Sequence, residues 1–301
     1  MKYWIESMRL RTLPLALANT ITGSALAYSA GGFRWPVFVL AATTTLLLQI
    51  LSNMANDYGD FKNGKDTEER IGPRRMVQSG KISPHAMMRG IVVVVLLTIA
   101  SGALLIIEGF KGIDLETAGV GIMAFALLGL TAIFAAIKYT VGKNPYGYKA
   151  MGDVFVFIFF GLIGVLGTYF LHTGNLHWSL LLPAAAIGFL SVGVLNLNNL
   201  RDYESDKKTG KRTLVVVLGL PRARIYHTVL LMGAFLLVSL YTLIEYNSPF
   251  QWLFWASFPL VFRNMRVAQT FSEHLQLFPE LKRLSMASLL FALLFAAGLI
   301  I

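Results

Sequence analysis

The chain contains no cysteine. That excludes disulfides, thiolate metal centres and a cysteine nucleophile together. Histidine is sparse: His85, His172, His177, His227 and His274 show no paired spacing, so a histidine-ligated metal has no frame to sit in. His172 and His177 flank a short loop and read as interfacial. Charge is the third scarcity. Asp, Glu, Lys and Arg make up 14% of the 301 positions, against about 25% in a soluble domain. No small-residue cleavage site follows the first apolar run, so no removable signal peptide is expected.

Apolar length takes the place of charge. The chain is 55% hydrophobic with a mean hydropathy of +0.62. Apolar stretches lie near 12–30, 36–55, 90–108, 117–137, 153–171, 178–198, 226–246, 249–263 and 284–301. A helix needs about 20 such residues to cross the hydrocarbon core. The expectation is an all-α polytopic membrane protein of nine transmembrane helices, with residues 1–301 as one domain. Of the 26 Lys and Arg residues, all but Arg34 and Lys111 fall in the N-terminus or in loops after even-numbered spans. Basic loops stay on the cytoplasmic side. The N-terminus is therefore expected in the cytoplasm and the C-terminus outside. Topology also accounts for the net charge of +10, so no nucleic-acid partner is expected. The glycine-rich run Gly161 to Gly167 has no preceding strand and no polar context, and reads as a helix-packing face rather than a nucleotide loop.

The chain repeats itself. Asn53-Met54-Ala55-Asn56-Asp57-Tyr58-Gly59-Asp60, followed by Gly64-Lys65-Asp66-Thr67, is echoed by Asn198-Asn199-Leu200-Arg201-Asp202-Tyr203-Glu204-Ser205-Asp206, followed by Gly210-Lys211-Arg212-Thr213. Asn53 and Asn198 are 145 positions apart, but Gly64 and Gly210 are 146 apart. Both copies sit where an apolar stretch runs into a polar loop. Spans two and six run in the same direction, which predicts two parallel pseudo-repeats around a central cavity open to the cytoplasmic side.

Asp202 and Asp206 are i, i+4 and share a helix face, with Asn198 one turn earlier. Asp57 and Asp60 are i, i+3, with Asn53 and Asn56 on the preceding turn. Bunched carboxylates repel one another, and a divalent cation relieves that repulsion. An oxygen-only donor set favours Mg²⁺, which keeps waters and takes up phosphate oxygens. Bases accompany the acids: Arg70, Arg74, Arg75 and Lys81 after the first motif; Arg201, Lys207, Lys208, Lys211 and Arg212 around the second; Lys138, Lys143 and Lys149 after span four. Arginine forks and lysine ammoniums bind phosphate oxygens. Acids for metal and bases for oxygens compose a diphosphate site, and its place at the end of a helical bundle suggests a lipid diphosphate.

Metal and cations improve the diphosphate as a leaving group. If the lipid is allylic, a carbocation follows, and the faces of Tyr58, Tyr139, Tyr146, Tyr148 and Tyr203 suit a cation. Other acids, Glu108 and Glu280 among them, read as ordinary loop residues. A divalent-cation transporter would also use repeats and acids, but needs ionisable groups near the bilayer midplane. The predicted span interiors contain none, which favours an enzyme.

Leu51 to Asp60 through Asp66, Ile71-Gly72-Pro73-Arg74-Arg75, Gln78-Ser79-Gly80, Tyr139-Thr140-Val141-Gly142 with Pro145-Tyr146 and Tyr148, and Asn198 to Asp202 through Leu214 together resemble the UbiA superfamily of membrane prenyltransferases. The similarity spans roughly residues 9–220. Gly64 stands where the general superfamily pattern has a third aspartate, and the acid comes at Asp66, as in the branch acting on 1,4-dihydroxy-2-naphthoate. The resemblance implies one Mg²⁺ on Asn56, Asp60 and Asp66 and a second on Asn198, Asp202 and Asp206. It implies Arg74, Lys143, Arg201 and Lys211 on the diphosphate, and Asp60, Asp202, Asp206, Arg74 and Tyr139 as the catalytic set. The implied partners are a polyprenyl diphosphate, 1,4-dihydroxy-2-naphthoate and the bilayer of a bacterial inner membrane, with no obligatory protein partner. The implied reaction alkylates the ring with loss of diphosphate and CO₂ and gives a demethylmenaquinone. Another aromatic acceptor, such as 4-hydroxybenzoate or homogentisate, is the alternative within the superfamily.

Overall fold

The computed structural model describes residues 1–65, 72, 75–113 and 115–301. Among these the chain is helical, with one isolated bridge between Lys149 and Arg212. A short helix, Lys2–Met8, precedes nine rods. They are α1 (Leu13–Ser29), α2 (Trp35–Lys62), α3 (Pro84–Gly109), α4 (Leu115–Lys138), α5 (Gly152–Thr173), α6 (Leu181–Arg201), α7 (Leu220–Ile244), α8 (Phe258–Thr270) and α9 (Phe278–Ile300). A 3₁₀ run, Pro249–Ser257, leads into α8. Proline stands in the first turn of α1, α2, α3, α7, α8 and α9. There its fixed φ suits the helix and its missing N–H loses nothing.

Seven rods, α2 to α7 and α9, are long and apolar enough to cross a membrane. α1 has 17 residues and α8 has 13. Exposed apolar side chains recur at helical spacing. Val120, Met123, Leu127, Leu130 and Phe134 form such a stripe on α4; Val229, Met232, Leu236, Leu240 and Leu243 form one on α7. Stripes of this extent suit acyl chains rather than water.

One hydrophobic core joins α1 with α5 to α9. A second joins α2, α3 and α4 through Leu51, Met54, Met87, Ile91 and Ile133. Gly161 on α5 packs against α6, where an added Cβ would lie 2.7 Å from Gly188 Cα and 2.7 Å from the Ala184 carbonyl. That is the helix-packing face expected of the glycine run. Within it Phe157–Ile163 winds as a π-helix, a local widening that is common near functional sites.

Several polar groups depart from the sequence reading. His172, in the last turn of α5, is buried among other side chains. Its Nδ1 accepts from the Arg34 backbone N–H at 3.0 Å, so Nε2 carries the proton toward Ser24 Oγ at 2.9 Å. Arg34 Nη2 donates to the carbonyls of Glu108, Gly109 and Leu171 at 2.7, 3.1 and 2.9 Å. One of the two exceptions to the basic-side pattern therefore closes the C-terminal ends of α3 and α5, where a cation complements the helix dipole. Glu280 is also no loop residue. It is buried at the start of α9, accepts from Asn264 Nδ2 at 3.0 Å and pairs with Arg283. Asn264 Oδ1 in turn meets His227 Nε2 at 3.0 Å, so one polar chain ties α7, α8 and α9 together.

Candidate functional site

Between the two cores lies a cavity of about 330 Å³. Its polar end carries Asn53, Asn56 and Asp60 from α2, Asn198 and Asn199 from α6, and Arg75 and Lys211 from the loops that follow. Its apolar part is lined by residues such as Leu105, Phe125, Phe159 and Ile163. A head-and-tail molecule is the shape it fits.

Gly59 sets the α2 side. A Cβ there would lie 2.6 Å from Thr140 Oγ1 and 2.7 Å from its carbonyl oxygen, so only glycine lets α2 meet the loop after α4. Thr140 Oγ1 donates to the Ala55 carbonyl at 3.1 Å, and Asn63 Nδ2 donates to the Thr140 carbonyl at 2.7 Å. These contacts fix the rim on which Asp60 sits.

The two repeat motifs meet there. Lys211 Nζ lies 3.8 Å from Asp60 Oδ2 and 3.9 Å from Asp206 Oδ1, one ammonium between carboxylates of opposite halves. Asp60 also accepts from Arg75 Nη2 at 2.5 Å and from the Tyr148 hydroxyl at 2.6 Å. The Lys211 ammonium sits 5.4 Å from the centre of the Tyr148 ring. Lys65, from the other half, donates to the Thr209 carbonyl. Ala150 N donates to the Arg212 carbonyl at 2.7 Å and clips the loop after α4 to the second motif loop.

The echo persists in the backbone, with a shift. Lys65 N donates to the Asp60 carbonyl and Lys211 N to the Asp206 carbonyl, at 2.9 and 2.8 Å. Gly64 and Gly210 hold the matching left-handed turns at φ +62° and +69°. This is the same helix ending in both halves. The extra residue of the second copy is absorbed where α6 stops at Arg201 and a short helix restarts at Tyr203. Beyond that break the 146 spacing holds, and Asp206 is the structural counterpart of Asp60.

Neighbours in sequence take separate roles. Asp57 Oδ2 accepts from Met76 N at 2.9 Å and Oδ1 from Val77 N at 3.1 Å. It anchors the return loop. Asn53 Nδ2 donates to the Met8 carbonyl at 2.9 Å and to Thr12 Oγ1 at 3.0 Å, and so pins the N-terminal segment. Asn56 lines the cavity, and its Oδ1 is buried and accepts no hydrogen bond from the described residues. Asp202 takes two hydrogen bonds from Arg201, at 2.8 and 2.7 Å, and Arg201 Nη2 also donates to Asn198 Oδ1 at 2.9 Å. Arg201 is thus buried behind its acid instead of lining the cavity. Lys143 is exposed on the loop after α4. Asp66 and Arg74 lie outside the described residues.

Of the tyrosines, Tyr139 and Tyr146 line the cavity, with rings edge-to-face at 5.3 Å. Burial, then the negative charge of Asp153, holds the Tyr139 phenol well above its usual range. The group is a donor, not an anion. Tyr58 packs with the α2 to α4 core, and Tyr203 stacks on His274. Sequence reasoning left Arg75 as one base among several, although it is the arginine on Asp60. It missed Arg9 and Gln49, which also line the cavity. Their signal was weak: one lies before the first span and the other is a lone amide inside the second. It also missed Asp153, buried in the first turn of α5 and accepting from the Tyr226 hydroxyl at 3.2 Å.

The donor set fits a hard cation. Among the described residues no three acidic or histidine side chains gather into one cage. Mg²⁺ rarely needs one, because it keeps waters and takes substrate oxygens. The buried Asn56 oxygen, one turn before Asp60 on a side chain that lines the cavity, has no donor among the described residues and so a lone pair left for a cation. From the other half Asn198 lines the cavity, while Asp202 and Asp206, at the end of α6 and in the short helix after it, lie outside its lining.

Residues 16–274 match the UbiA prenyltransferase family. A Haemophilus influenzae protein described as 1,4-dihydroxy-2-naphthoate octaprenyltransferase is 46% identical, over 100% of this chain and 96% of that one. An Escherichia coli protein of the same description is 43% identical, over 98% of this chain and 94% of that one. Among solved structures, a UbiA homolog from Archaeoglobus fulgidus bound to DMAPP and Mg²⁺ superposes with a TM-score of 0.63, covering 97% of this chain and 98% of that one at 19% identity. That last likeness is one of fold.

Proposed function

Because the chain belongs to the UbiA prenyltransferase family, we propose that it transfers a polyprenyl chain from its diphosphate to 1,4-dihydroxy-2-naphthoate, releasing diphosphate and CO₂ and forming a demethylmenaquinol, the reduced form of a demethylmenaquinone. The observation that carries the reading is Lys211, set between Asp60 and Asp206 at the head of an apolar cavity. The full-length identity to two naphthoate octaprenyltransferases supports the choice of acceptor.

The residues divide the task. Asn56, Asp60 and Asp66 on one side, and Asn198, Asp202 and Asp206 on the other, would hold Mg²⁺; the Archaeoglobus homolog solved with DMAPP and Mg²⁺ supports this. When bound, the metal supplies positive charge that makes the diphosphate a better leaving group. Lys211 and Arg75 stand where they can take phosphate oxygens, with Arg74 and Lys143 as further loop contacts. Arg201 holds Asp202 and Asn198 in place. Tyr148 orients Asp60 through its hydroxyl. Tyr139 and Tyr146 line the cavity with aromatic faces suited to an allylic cation. The C–O bond breaks with its electron pair going to diphosphate. The ring carbon bearing the carboxylate forms the new C–C bond, and its carboxylate leaves as CO₂. Seven rods are long and apolar enough to cross the bacterial inner membrane alone; α1, and α8 together with the 3₁₀ run before it, complete the nine crossings of one catalytic unit, the N-terminus and cavity mouth facing the cytoplasm and the C-terminus outside.

The test is an assay of purified protein in detergent with Mg²⁺, a prenyl diphosphate and a panel of aromatic acceptors. Prenylated naphthoquinol is expected. Alkylation of 4-hydroxybenzoate or homogentisate but not the naphthoate would overturn the acceptor. No transfer to any acceptor, with divalent-cation flux in proteoliposomes, would overturn the enzyme.

A further inference from the structure

The cavity face of α2 continues inward past Asp60 and Asn56 to Gln49. Gln49 is 9% exposed. Its Nε2 donates to Thr12 Oγ1 at 3.2 Å and to Asn53 Oδ1 at 3.4 Å. The orientation of this amide is determined. Asn53 uses its own nitrogen on the Met8 carbonyl, so its oxygen must accept, and a flipped Gln49 would set two acceptors face to face. That leaves Gln49 Oε1, on a side chain that lines the cavity, buried and with no hydrogen-bond donor among the described residues. A buried acceptor without a donor is destabilising, so a ligand that supplies a donor is favoured there.

Depth and chemistry narrow the ligand. Gln49 lies seven residues before Asn56 on α2, about 10 Å deeper along the axis. A diphosphate has no proton to give at neutral pH, and an isoprenoid chain has no polar hydrogen. Of two co-substrates, only a hydroxylated aromatic ring brings O–H donors. The same wall carries Asn19 and Thr45, linked through Thr20 Oγ1 at 3.1 and 3.4 Å, and the α5 lining is aromatic at Phe155, Phe159 and Phe160. A flat ring with a polar edge suits this space.

We propose that Gln49 reads the aromatic acceptor, accepting a hydrogen bond at Oε1 from one of its ring hydroxyls. This rests on the prenyl-transfer reading above. Gln49→Leu removes the oxygen, and Gln49→Met does so while keeping the length. In either variant the acceptor KM is expected to rise about 10-fold, the worth of one hydrogen bond, while the prenyl diphosphate KM stays within about twofold. Inhibition by each monohydroxy-2-naphthoate gives the second readout. The wild type should bind the ring lacking the read hydroxyl about 10-fold more weakly than the other monohydroxy ring, and the variants should bind both alike. Equal discrimination in wild type and variants would overturn the proposal, as would both KM values moving together, which marks a merely structural tether. If the wild type alkylates a benzoate instead, the acceptor class is wrong, and the same comparison on that ring's hydroxyl decides the role of Gln49 separately.

Discussion

Asp57 and Asp60 stand three residues apart, and their substitution should fail in different ways. Asp57→Ala strips the partner from two buried backbone amides, those of Met76 and Val77. A loss of about 3 kcal/mol is expected, read as a lowered melting temperature in detergent. Asp60→Asn keeps the shape of the site and should lower kcat by about 100-fold or more, since it weakens charge at the diphosphate, and it should also lower the melting temperature, because buried Arg75 loses its counter-charge. Asp202 combines both effects. Its arginine partner is fully buried, and removing one member of such a pair costs about 3–5 kcal/mol. Asp202→Ala should therefore unfold early as well as lose activity, while Asp202→Asn should separate the two. Tyr139 gives a pH test. Burial holds its phenol protonated well above the usual range. Tyr139→Phe should lower turnover without moving the alkaline limb of the rate profile.

At the level of elements, the close approach at Gly59 controls the rim. Gly59→Ala would drive a methyl into the Thr140 backbone, at about 1–3 kcal/mol, and a drop in both melting temperature and turnover is expected. The helices were legible from sequence because apolar length is a local property, and α2 to α7 lie where the apolar runs predict. The meeting of the two motifs was legible because the repeat and the direction of spans two and six require it. Individual partners were not. The donors to Asp57 are backbone amides about twenty residues further on, and whether Arg74 or Arg75 reaches Asp60 depends on how the loop returns. The chain from His227 through Asn264 to Glu280 uses three helices, and no spacing within one helix announces it. The slip from 145 to 146 was visible in the letters, but its cause is the helix break at Asp202.

For the whole molecule, the lack of native cysteine makes orientation directly measurable. Single cysteines at Asn144 and Gly112, both exposed, should react with an impermeant maleimide from opposite sides of a sealed membrane, Asn144→Cys from the cytoplasm. Chelation with EDTA should stop prenyl transfer, and Mg²⁺ should restore it. The position of Lys211 has a consequence for the sequence of binding events. An ammonium already lodged between Asp60 and Asp206 competes with a free ion for the same oxygens. A dication arriving alone must displace it, whereas one arriving with a pyrophosphate offers that ammonium a new counter-charge. Ordered, joint loading follows. In calorimetry, Lys211→Met should take up bare Mg²⁺ more tightly than the native chain, yet hold Mg²⁺-pyrophosphate more weakly.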